Sequence, residues 1–203
     1  MKFYKLLFFA ASLSTPIQAA TVSFDMGADT LAALPAIDGG ARLGTGFTVH
    51  IGRYTGGNLA TTATAAEITP LFIVLASAPF VSGMNAGYVG VSDTDYTDAQ
   101  GYGNQPFAVW FTDGGNNNAI VTGFGVGGNP GNFPVDAAIP NNVPFFINVD
   151  NAPLLIYRLG SYSASGVTAG GGGEIVLNNA IPEPSAALLG AIGVLGLLRR
   201  RRN

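Results

Sequence analysis

Cysteine is absent from the sequence, which excludes disulfides, thiol nucleophiles and Cys-ligated metal sites together. Histidine occurs once, at His50, so any Ser-His-Asp arrangement must use it, and no Gly-x-Ser-x-Gly elbow accompanies it. Charge is scarce as well: Asp, Glu, Lys and Arg make up 10% of the chain against 48% hydrophobic residues. Lysine does not occur after Lys5. Glycine, by contrast, is abundant at 29 of 203 residues, a composition that suits a turn-rich β protein better than a helical one.

The basic residues sit at the two ends. Lys2 and Lys5 lie near the start and Arg199, Arg200, Arg201 and Arg202 close the chain, while residues 21–180 keep only Arg42, Arg53 and Arg158. Against these three stand eleven acids, so the body carries a formal charge of −8. An acidic, lysine-free surface repels phosphate backbones and excludes nucleic acid as a partner. Its 160 residues are one domain's worth of chain, enough to bury a core without metal or disulfide help.

Each end reads as a targeting segment. Residues 1–20 show a basic start, an apolar run at 6–13, a helix-breaking Pro16 and the small residues Ala19 and Ala20. This is the order of a secretory signal helix, with cleavage expected after Ala19 or Ala20 by signal peptidase. At the other end, Pro182-Glu183-Pro184 precedes the apolar run 186–198 and the four arginines, which act as a membrane stop on the cytoplasmic side. Thirteen residues give about 20 Å of helix against a hydrocarbon core of about 30 Å, so this transmembrane helix is short for a permanent anchor and suits a transient one.

Pro182-Glu183-Pro184, the Gly/Leu/Ala-rich run and the arginine cluster together resemble a PEP-CTERM sorting signal. The resemblance covers residues 181–203 and implies recognition by exosortase, a multi-pass membrane enzyme, with cleavage near the Pro-Glu-Pro motif. It also implies a Gram-negative, polysaccharide-producing host. An inner-membrane-anchored precursor would then pass to the outer envelope, the cell surface or the extracellular matrix. It implies nothing about the fold of residues 21–180.

That body reads as all-β, an antiparallel sandwich or jelly-roll-like domain between the two terminal helices. Alternation and β-branched or aromatic enrichment mark strands at 21–24, 47–54, 71–75, 87–91, 107–112, 120–124, 145–149, 154–159 and 174–177. The Asn/Gly-rich stretch 113–118 reads as a hairpin connection between antiparallel neighbours. Short helical turns are expected at 30–34 and 61–67, a hairpin loop at the glycine run 170–173, and a linker at 178–181.

Few side-chain constellations suggest chemistry. Phe47, Val49 and Ile51 share one face of their strand, which turns His50 toward solvent. Asp93, Asp95 and Asp98 cluster within six residues of an expected loop, an oxygen set suited to calcium. The spacing departs from the EF-hand pattern, and a solvated acidic loop with Asx-turns is the competing and favoured reading. Glu67 and Glu174 are the body's only glutamates, and neither stands beside an aromatic platform. Trp110 and Tyr102 could stack on a sugar ring, although Trp110 lies in an apolar strand and reads as core. These features point away from an enzyme and toward a structural or adhesive protein of the envelope or exopolysaccharide matrix, needing no cofactor. A carbohydrate-binding or carbohydrate-active protein of the same matrix is the alternative.

Overall fold

The computed structural model describes residues 20–26, 36–38, 41–82, 87–125, 131–135, 142–148, 150–164 and 173–179. The expected signal helix, the turn at 30–34 and the C-terminal helix lie outside them. Among the described residues no helix is long and apolar enough to cross a membrane.

Among the described residues the chain is β apart from one helical turn, α1 (Ala65–Ile68), and short 3-10 turns. Its strands are β1 (Ala20–Asp25), β2 (Ala36–Asp38), β3 (Ala41–Arg42), β4 (Thr48–Tyr54), β5 (Phe72–Pro79), β6 (Gly90–Tyr96) and β7 (Ala108–Thr112). They continue with β8 (Asn117–Thr122), β9 (Val143–Phe146), β10 (Ile156–Leu159), β11 (Ser161–Ser163), β12 (Glu174–Val176) and β13 (Asn178–Asn179). Ala20, counted with the leader in the sequence, is the first residue of β1 and pairs with Tyr96.

The largest sheet has the order β10-β8-β7-β4-β5, with β13 also paired to β8. Its central strand β7, Ala-Val-Trp-Phe-Thr, is buried on both faces. The period of two then sorts its side chains: Val109 and Phe111 join the main core, while Ala108 and Trp110 join a smaller cluster on the opposite face. Thr64 and Glu67 start α1, which lays Ala65 and Ile68 over that second face beside Phe72 and Trp110. The Glu67 carboxylate accepts from both the backbone N–H (2.7 Å) and the hydroxyl (3.0 Å) of Thr64, the reciprocal half of a capping box.

A second sheet, β6-β1-β9, supplies Val22, Phe24, Val91 and Phe145 to the main core. Phe24 packs on Phe107, Phe111 and Phe124, and Phe145 stacks on Phe107 at 3.7 Å between ring centres, so the two sheets share one aromatic interior. A third sheet, β11-β12-β2-β3, adds Ile175 to the same core. All-β is correct, but a purely antiparallel sandwich is not: β1 pairs β9 in parallel and β12 pairs β2 in parallel. Both ladders join strands from opposite ends of the chain, where direction is not dictated by a hairpin.

At Gly160 (φ +79°) the chain leaves the edge of β8. A Cβ there would lie 2.7 Å from the Cβ of Ala119 and 2.8 Å from the carbonyl oxygen of Val176. The chain runs on as β11, pairs antiparallel with β12, and returns through β13 to the stretch of β8 that β10 does not cover. The glycine run 170–173, expected as a hairpin loop, falls in sequence between the paired strands β11 and β12, and its residues 170–172 lie outside the described residues.

Candidate functional site

The β7–β8 hairpin turn is held by Asp113. Asp113 accepts at Oδ1 from the backbone N–H groups of Gly115 (2.7 Å) and Asn117 (3.2 Å), and at Oδ2 from the Asn117 amide (2.9 Å), while Gly114 adopts φ +79°. Asn117 and Asn118, read as turn residues in the sequence, belong to the strand. Asn118 is fully buried: its Oδ1 accepts from the Trp110 indole N–H at 3.0 Å, and its Nδ2 donates to the carbonyls of Gly115 (3.0 Å) and Ala63 (3.3 Å). No sequence pattern singles out this asparagine, because in a turn-like Asn run it looks like its neighbours.

His50 lies on the second face, not in open solvent. It is half-buried, 4.9 Å from the Trp110 ring centre, with Nδ1 2.6 Å from the Ser77 hydroxyl on the adjacent strand. Burial lowers its pKa below the ordinary histidine value. The two rings considered for sugar stacking are both buried. Trp110 packs on Phe72 and His50. Tyr102 packs on Tyr96 and Phe133 and donates its hydroxyl to the Val74 carbonyl at 2.9 Å. Neither ring offers a free face.

The candidate calcium ligands are divided between two elements. Asp93 and Asp95 lie on β6 and not in a loop, because Tyr96 and Val91 pull that segment into the core and leave the aspartates on its outer face. Asp95 accepts from the Thr21 hydroxyl and Asp93 from the Asn142 amide, both at 2.5 Å. Asp98 opens the following 3-10 turn, Asp98–Gln100, where its carboxylate fills the space beside Gly103. Among the described residues no group of three or more His, Cys, Asp or Glu side chains is placed to hold a metal ion. Of the two glutamates, Glu67 caps α1, its pKa lowered first by the backbone hydrogen bond from Thr64, and Glu174 is buried at the start of β12.

What the body presents at its C-terminal edge is a boundary. Ile175 and Leu177 are buried in the main core, and Asn178 and Asn179 pair with Asn118 and Asn117. The stretch 178–181, expected as a linker, is half strand. Immediately beyond, residues 180–202 match the family model of the PEP-CTERM protein-sorting motif. The tail is a PEP-CTERM sorting motif. Comparison of the chain with curated proteins and with solved structures finds no match.

The PEP-CTERM match contains Pro182, Glu183, Pro184 and Arg199, Arg200, Arg201 and Arg202, all outside the described residues. It implies exosortase as the sorting partner and an exported protein processed at the membrane. The PEP-CTERM match begins at the residue after β13, the last strand among the described residues, so the folded body and the sorting signal are contiguous in sequence.

Proposed function

We propose that this protein is a structural or adhesive component of the outer envelope or exopolysaccharide matrix, delivered there by exosortase processing and without enzymatic activity of its own. The observation that carries the reading is the PEP-CTERM motif joined directly to a β body. The state of the body's reactive side chains supports it. His50 is held between Ser77 and Trp110, Glu67 closes a capping box, and Asp93 and Asp95 are hydrogen-bonded to Asn142 and Thr21. An acidic exterior with exposed Asp, Asn and Thr keeps such a body hydrated and able to hydrogen-bond polysaccharide hydroxyls.

The test incubates the mature domain with exopolysaccharide from the producing organism and follows retention together with release of reducing ends. Retention without new ends is the expected result. Sustained release of ends would replace the adhesive reading with a carbohydrate-active one.

A further inference from the structure

Covalent geometry limits how far the tail can stand from the body. With β13 in place, three chain steps separate Asn179 from Pro182, a reach of about 10 Å. The headgroup layer on one side of a bilayer is itself about 5–7 Å deep. A membrane-embedded enzyme that cuts near Pro182-Glu183-Pro184 must wrap the segment on both sides, yet paired β13 leaves it only Ala180 and Ile181 to grip before meeting the folded body. If Asn178 and Asn179 leave β8, the chain is free from Leu177 onward and the reach to Pro182 grows to about 17 Å.

The fold allows this release and stops it at a defined point. Two residue pairs hold β13. Behind it, Leu177 and Ile175 are buried in the main core, and β12 is paired on both sides, by β11 and by β2. Strand β8 does not depend on β13: β7 pairs it from Asn118 to Thr122, β10 covers Ile120 to Thr122, and the Asn118 side chain is held by Trp110, Ala63 and Gly115.

Resting on the sorting reading above, we propose that β13 is a latch on exosortase processing: Asn178 and Asn179 must unpair from β8 before the Pro-Glu-Pro segment can enter the enzyme. The cleavage rate then scales with the fraction of molecules in which the latch is open.

The absence of native cysteine permits a reversible lock. Directly paired residues of an antiparallel ladder lie within disulfide range, so Asn117→Cys with Asn179→Cys closes the latch covalently when oxidised. The full precursor is placed in exosortase-containing membrane vesicles and its conversion followed by C-terminal mass. Oxidation should slow cleavage by about tenfold or more, and reductant should restore it. A six-residue Gly/Ser insertion between Asn179 and Ala180 should restore cleavage to the oxidised chain, because it supplies reach without unpairing. Equal cleavage of oxidised and reduced chains overturns the latch, and so does an oxidised chain that stays uncut despite the insertion. If neither the unmodified precursor nor the inserted chain is cut at all, the sorting reading itself falls.

Discussion

Burying an indole N–H inside a sheet obliges the chain to bury an acceptor with it, and Asn118 meets that need while tying the hairpin and α1 segments to β8. Asn118→Ala takes the acceptor from the Trp110 indole N–H and the side-chain donor from the Ala63 carbonyl, while the Gly115 carbonyl keeps only the backbone N–H of Ala65. A loss of about 3 kcal/mol in urea unfolding is expected. His50 contributes in a pH-dependent way. Its folded pKa is depressed by burial, so as pH falls the unfolded chain takes up the proton first, and the stability contributed by the neutral ring is lost progressively as pH falls through the ordinary histidine value of about 6.5. Thermal melts across that value should fall more steeply for the native protein than for His50→Gln. Trp110 is the sole tryptophan and touches the imidazole, so its emission reports the same titration.

Strand β5 departs from β4 by a bulge between Ile51 and Gly52 that places Leu75 as the extra residue. The bulge swings the Ile73 carbonyl to within 2.1 Å of where a Gly52 Cβ would be, so only glycine fits. Gly52→Ala should cost about 3 kcal/mol by chemical denaturation, whereas Gly57→Ala, which meets nothing within 4 Å, should stay within about 0.5 kcal/mol. That contrast shows what the sequence hides. Phe-Thr-Val-His-Ile and Ala-Val-Trp-Phe-Thr declare their strands, because alternation and β-branching act within a few residues. The hairpin at 113–116 is equally legible through its Asp-Gly chemistry. The strand expected at 87–91 instead runs from Gly90 to Tyr96, since its polar half is held by pairing to β1, some seventy residues away. β2, β3, β11 and β13 are too short to carry a period, and their pairing is set by distant partners. The sorting motif was readable because it is linear chemistry, recognised without a fold. Asn118 and the parallel ladders were not, because each gains its meaning from a residue elsewhere in the chain.

For the whole molecule, the tail and the body divide the work: residues 180–202 specify processing and the sheets specify what is processed. Replacing Pro182, Glu183 and Pro184 together by alanine should leave the body folded and the precursor uncut in the inner membrane, and normal maturation of that variant would remove the exosortase assignment. The body's own topology has a consequence for time. Strand β1 lies between β6 and β9, with Val22 opposite both Thr94 and Val143. The first strand of the body to emerge therefore finds both neighbours only once Phe146 has followed it, and β2 waits longer still, for β12 at Glu174–Val176. Such a chain cannot complete its fold in step with its own export. The β4–β5, β4–β7 and β7–β8 ladders join near neighbours and can form early, whereas the ladders that enclose β1 and β2 close late, in a slow step dominated by distant contacts.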